Sequence, residues 1–287
     1  MSPTILSSID EIVGAYDALL VDLWGCYHNG LTPYPAAVDA LRRFRDRGGL
    51  VVLLTNAPRP AGSVRGFLAS IGAPEESWDG IMSSGEACQR ALGSRAYGSR
   101  YHYVGPDRDL HMLGDVGLAP VALEDAEAIL CTGLFDDATE GPEHYAERIA
   151  DWRDRGLSLL CANPDVIVDR GDLRLYCAGA IAEAYEAAGG TVVWFGKPHR
   201  PTYDQSFALI EELAGRPVPR QKVLAMGDGV HTDVKGAIDY GVDVVFVTGG
   251  LATAETGGDP EVPDPALLDA FLRSHGQAPG YAIGRLR

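Results

Sequence analysis

The chain has only three lysines, Lys197, Lys222 and Lys235, and no block of lysine and arginine anywhere in its 287 residues. With a net charge of −16 it lacks the basic footprint that a nucleic-acid backbone requires, so nucleic acid is not among the expected partners. No apolar run approaches the ~20 residues of a membrane span, and no membrane partner is expected. Met1 to Asp10 lack a basic region followed by an apolar core and a small-residue cleavage site. The five cysteines, Cys26, Cys88, Cys131, Cys161 and Cys177, are scattered, odd in number and free of any CxxC pair. Neither a zinc site nor a disulfide framework is therefore indicated. These absences predict a reduced, soluble, cytoplasmic protein whose acidity serves solubility, with a few carboxylates free to serve a cation.

What is present is an alternation of short apolar runs and helical periodicity. Ala18 to Leu23 (ALLVDL) reads as a buried parallel strand. Pro35 opens a helix, Val38, Leu41 and Phe44 fall at helical spacing, and Gly48-Gly49 ends it. Leu50 to Leu54 is a second buried strand, so the order is that of a right-handed βαβ unit. Thr191 to Phe195, Lys222 to Met226 and Val242 to Val247 are further apolar runs, each ending in small, polar or charged residues. In an open parallel sheet such residues gather at the carboxyl ends of the strands, where ligands bind. From about Gly85 to Gly190 a separate alternation runs, with strands at Tyr101 to Val104, Ala128 to Cys131 and Ser158 to Cys161. Helices are expected there at Glu86 to Leu92, Glu143 to Arg155 and Ala178 to Ala188. The expected organisation is an α/β core over 1–84 and 191–287, with an α/β domain inserted over 85–190. A loop over Gly257 to Pro265 leads into a short C-terminal helix.

Asp22 ends an apolar strand, where a carboxylate is costly without a partner. Alone, it reads as an ordinary strand-end or helix-capping aspartate. Other strand ends change the balance: Thr55 offers a hydroxyl, Lys197 a fixed positive charge, and Asp228 with Asp233 a second pair of carboxylates. Together these supply a nucleophile, anion donors and hard oxygen ligands for Mg²⁺, a set suited to metal-assisted phosphoryl transfer.

Asp22 with its glycine turn, Thr55-Asn56-Ala57, Gly196-Lys197-Pro198 and Gly-Asp-Gly-Val-His-Thr-Asp (227 to 233) resemble the four ordered motifs of the haloacid-dehalogenase superfamily. With Cys-Ala-Asn-Pro-Asp (161 to 165), they resemble its NagD-like, 4-nitrophenylphosphatase-like class IIA branch over Tyr16 to Leu251. The resemblance implies a Rossmann-like core with a parallel sheet and an inserted C2-type α/β cap. It also implies a phosphatase of small phosphorylated metabolites such as sugar phosphates, with an aspartyl-phosphate on Asp22 and Mg²⁺ as cofactor. Thr55, the Asn56 N–H and Lys197 are implied to hold the phosphoryl oxygens. Mg²⁺ is implied between Asp22, Asp228 and the main-chain carbonyl of Trp24, with Asp233 directly bound or behind. Caps of this class often pair, so a homodimer is preferred.

One departure stands out. Phosphatases of this superfamily carry a second aspartate two residues after the nucleophile, as acid and base, and here that residue is Trp24. Such assistance is typically worth ~10²–10⁴ in rate, so turnover of alkyl phosphates is expected to be slow unless His28 or another group substitutes. His28 reads more simply as an exposed loop histidine, and Trp24 as a wall that narrows the substrate range. In the cap, Glu86, Asn163 and Asp165 are candidate substrate contacts, beside their plainer readings as a helix-start acid and turn formers. A phosphonate hydrolase would need a cap lysine, and none lies in 85–190. A dehalogenase would not need Asp228 and Asp233, and a phosphomutase meets the same Trp24 problem. Gly25 to Gly30 is not a GxGxxG dinucleotide turn. The strongest rival is a non-catalytic phospholigand-binding or regulatory protein that keeps the metal and phosphate cradle.

Overall fold

The computed structural model describes residues 2–170 and 173–287, the side chains of 168–174 excepted. The chain divides into two compact units: Met1–Thr55 with Gly62–Met82 and Tyr203–Arg287, and Asn56–Ala61 with Ser83–Thr202. The class is α/β.

The first unit is built on a seven-stranded sheet. Its order is Thr4–Ile5, Tyr281–Ile283, Asp243–Val247, Val223–Gly227, Ala18–Asp22, Leu50–Thr55 and Gly80–Ser83. The pairings from Thr4–Ile5 across to Leu50–Thr55 are all parallel. Ala18–Asp22 is buried at every position, as the unbroken apolar run requires of a strand covered on both faces. The crossover helix Pro35–Asp46 starts with proline at its first turn and buries Val38, Leu41 and Phe44. Gly48, at φ +87°, lies in the chain reversal that follows.

The second unit has a four-stranded parallel sheet in the order Thr191–Trp194, Ser158–Cys161, Ala128–Cys131 and Tyr101–Val104. Its core gathers Ile129, Trp152, Leu159, Ile181 and Tyr185. A two-stranded antiparallel hairpin, Ile167–Arg170 with Leu173–Tyr176, follows Ser158–Cys161 in the chain. Thr191–Trp194, read from the sequence as a strand of the first sheet, is instead an edge strand of this one, beside Ser158–Cys161. A run of β-branched and aromatic residues specifies a strand but carries no information about which sheet receives it. Among the described residues no helix is long and apolar enough to cross a membrane.

Candidate active site

Register brings three of the expected residues to the carboxyl end of the sheet's central strands. Asp22 lies beside Leu54, and Val21 beside Met226, on the strands to either side. Thr55 and Asp228 therefore each emerge one residue beyond the level of Asp22. All three are buried, at 7%, 4% and 5% exposure for Asp22, Thr55 and Asp228.

Asp22 and Asp228 are joined by a residue that the sequence did not single out. One donor atom from each of Asp22, Cys26 and Asp228 lies within 4.8 Å of the others, the one such group among the described residues. Asp228 Oδ2 accepts the Leu251 N–H at 3.0 Å. The carboxylate is also flanked by Gly25, at φ +74°, and Gly250, and a Cβ at either would overlap Oδ2. Two buried carboxylates this close repel each other unless a cation or a proton intervenes. The donor set, two hard carboxylates with a thiol alongside, fits a divalent cation such as Mg²⁺. Asp233, by contrast, is turned to its own loop: its Oδ2 accepts the Gly229 N–H at 3.2 Å and the Thr232 hydroxyl at 3.1 Å. Gly227 and Gly229 leave the space for it. Its carboxylate thus fixes the turn that carries Asp228.

The turn after Asp22 separates Trp24 from His28 in exposure. His28 is fully buried, and its ring meets Trp24, Tyr27 and Phe67 edge-on at centroid distances of 5.0, 6.4 and 5.6 Å. Its Nδ1 accepts the Gly30 N–H at 2.9 Å, while Nε2 is buried without a hydrogen-bond partner. Burial lowers its pKa to about 4, so the imidazole is neutral near pH 7. The proton of this neutral ring sits on Nε2, which is enclosed and meets no polar partner, so the geometry gives no support to the expectation that His28 replaces the missing acid. Trp24 is 57% exposed.

The remaining expected residues belong to the second unit. Asn56 and Lys197 are joined twice: the Lys197 N–H donates to Asn56 Oδ1 at 2.7 Å, and Asn56 Nδ2 donates to the Lys197 carbonyl at 3.1 Å. Asn56 Nδ2 also reaches Asp165 Oδ1 at 3.3 Å. Burial raises the Asp165 carboxyl above its usual range, against the opposing pull of Asn56 and the Lys197 charge. Asn163 Oδ1 accepts the Asp165 N–H at 3.1 Å, closing an Asx turn. Both residues line a cavity of about 390 Å³ with Arg59, Arg108, Asp109 and Thr132. Glu86 has a structural position: its carboxylate accepts the Ala61 N–H at 3.0 Å, at the start of the helix Ala61–Ser70, and Arg90 Nε at 3.2 Å. Both of its oxygens thus accept hydrogen bonds within the unit. A larger cavity of about 510 Å³, with Asp17, Arg47 and Arg216 among its walls, opens at the amino ends of the first sheet's strands and holds none of the expected residues.

Sequence comparison identifies the class. Residues 19–119 match the haloacid dehalogenase-like hydrolase family, and residues 194–274 match a HAD-hydrolase-like family. A solved haloacid dehalogenase-like hydrolase from Brucella suis 1330 is 36% identical, covers 98% of this chain and 99% of its own, and superposes with a TM-score of 0.77. The chain belongs to the haloacid dehalogenase-like hydrolases. A p-nitrophenyl phosphatase from Archaeoglobus fulgidus shares the fold at 21% identity, 94% and 96% coverage and a TM-score of 0.71. A glycerol phosphate phosphatase from Mycobacterium tuberculosis, solved in complex with magnesium, is 26% identical over 90% of this chain and 78% of its own, with a TM-score of 0.63. A comparison with curated protein sequences gives no match.

Proposed function

We propose that this chain is a Mg²⁺-dependent phosphohydrolase that cleaves monoesters of small phosphorylated metabolites through an aspartyl-phosphate on Asp22. The observation that carries the reading is the buried pair of Asp22 and Asp228 at the carboxyl ends of two central strands. Asp22 Oδ attacks phosphorus in line, a P–O bond to Asp22 forms, and the ester P–O bond breaks with the electron pair leaving on the alcohol oxygen. Water then attacks the phosphorus of the acyl phosphate, which frees inorganic phosphate and restores the carboxylate. A bound Mg²⁺ supplies charge neutralisation for the phosphoryl oxygens. Asp22 and Asp228 would hold it, with the Trp24 main-chain carbonyl, while Asp233 keeps the Asp228 turn in place.

Thr55, the Asn56 N–H and Lys197 are assigned to the phosphoryl oxygens on the order of their motifs, a hydroxyl, an amide and a fixed charge being preorganised donors. Residues 85–190 are assigned the role of cap, and Asn163 and Asp165, on the wall of a polar cavity, that of substrate contacts. The magnesium complex of the mycobacterial glycerol phosphate phosphatase supports the metal, and its name and that of the archaeal phosphatase support the ester class.

A second reading is favoured by one observation: the turn after Asp22 presents an exposed indole and an enclosed neutral imidazole in place of an acid. A non-catalytic phospholigand binder would need no acid there. Hydrolysis of an activated aryl phosphate, with and without Mg²⁺, separates the readings. Metal-dependent turnover that Asp22→Asn abolishes establishes the hydrolase. Metal-dependent phospholigand binding without turnover above background establishes the binder.

A further inference from the structure

We propose that Trp24 is the specificity-determining residue of this site, a fixed aromatic platform that selects phosphate esters with a planar aromatic leaving group. The inference rests on the reading of Asp22 as the centre of the site. Trp24 follows Asp22 by two residues, and the next residue, Gly25, lies against the Asp228 carboxylate. Trp24 thus sits in the chain between Asp22 and the point where Gly25 meets the Asp228 carboxylate, and more than half of its side chain is exposed.

The indole is held rather than loose. Its outer ring occupies the space where a Cβ at Gly30 would sit, so only glycine, here at φ +86°, admits it. The edge of the buried His28 ring meets it at 5.0 Å, with the ring planes at 70°. Below it the backbone is tied: Tyr27 N–H and His28 N–H both donate to the Leu23 carbonyl, at 2.9 and 3.0 Å, and Gly25 N–H donates to the His28 carbonyl at 3.0 Å. Leu31, beside Gly30, and Phe67, against His28, are the other exposed large apolar side chains of this neighbourhood. A preorganised, outward-facing aromatic surface loses little entropy when a ligand covers it. A flat ring gains contact area and an offset-stacked or edge-to-face geometry on such a surface. A small polyhydroxylated leaving group would strip water from the indole and from its own hydroxyls without an equivalent return.

The test uses phenylphosphonate and methylphosphonate, whose carbon–phosphorus bonds are not ester linkages, titrated by calorimetry into Mg²⁺-loaded wild type, Trp24→Ala and Trp24→Phe. Wild type is expected to bind phenylphosphonate more tightly. Trp24→Ala narrows the gap between the two ligands by roughly three- to tenfold, and Trp24→Phe, which keeps a ring, restores most of it. A gap unchanged in Trp24→Ala overturns the inference, as does absence of phenylphosphonate binding at millimolar concentration. Phosphocholine bound more tightly than phenylphosphonate, with the advantage lost in Trp24→Ala, would assign the indole to a cation and also overturn it. These readings need no turnover, so a failure of Asp22-dependent hydrolysis counts against the proposed function and leaves the platform decided on its own data.

Discussion

The Asp228 carboxylate lies directly over the α-carbon of Gly25, at a distance that leaves no room for a methyl group. The contact is possible because Gly25 adopts a left-handed backbone, which bends the chain after Asp22 back toward the neighbouring strand. Gly25→Ala therefore combines backbone strain with displacement of a buried carboxylate. The expected loss is about 1–3 kcal/mol of folding stability, measured by urea unfolding, together with weaker Mg²⁺ binding measured by calorimetry. A variant as stable as wild type with unaltered metal affinity would contradict this contact.

Asp228→Asn removes one of the two charges of the buried pair while keeping its shape. Mg²⁺ affinity is expected to fall by about tenfold or more, whereas stability without metal is unchanged or higher, because like-charge repulsion is relieved. Calorimetric titration and thermal unfolding in chelator give the two readings. Equal Mg²⁺ affinity in the variant and wild type would remove Asp228 from the metal site.

His28 ties stability to pH. Its folded pKa of about 4 lies below the ordinary histidine value, so between pH 6.5 and 4 the unfolded chain binds the proton that the folded chain refuses. Stability is therefore full above about pH 6.5 and falls as the pH drops toward 4. His28→Phe, which has no group to protonate, is expected to flatten that part of the profile. Melting temperature against pH for both proteins checks the sign, and parallel profiles would refute it.

Glu86 bonds the start of one helix and an arginine of its own, so Glu86→Gln is expected to cost about 1 kcal/mol in stability. Its kcat/KM for an aryl phosphate should match wild type. A drop in kcat/KM with stability intact would instead support Glu86 as a substrate contact.

Asn56→Ala breaks both hydrogen bonds to the Lys197 backbone. Leaving a buried backbone group without its partner costs about 1–3 kcal/mol, and Lys197 loses the support that fixes its main chain. KM for the phosphate ester is expected to rise more than kcat falls.

The strand ends were legible in the sequence because their chemistry is abrupt. Asp22, Thr55 and Asp228 interrupt apolar runs where a polar side chain has no reason to be unless it serves the carboxyl end of the sheet. Other features depended on distances that a sequence does not encode. Cys26 joins the two carboxylates only because Gly25 turns the chain, and four residues of separation do not reveal that. The burial of His28 depends on Phe67, a residue of the helix Ala61–Ser70, far along the chain. Gly80–Ser83 and Tyr281–Ile283 are too short to announce themselves as strands. Thr191–Trp194 announced itself as a strand but not its sheet. The bonds of Glu86 to Ala61 and Arg90 are visible only once those residues are placed.

Ala18–Asp22 is hydrogen-bonded on both sides within the seven-stranded sheet, whereas the outermost strand Thr4–Ile5 has two residues and one neighbour. Amide protons of Leu19, Leu20 and Val21 should then exchange with solvent deuterium on the timescale of global unfolding, long after those of Thr4 and Ile5 have been replaced. A carboxylate at the tip of such a strand keeps its register through every partial opening of the sheet's rim. The Asp22 carboxylate is thus carried by a central strand, and fraying at the sheet's lateral edges does not reach it.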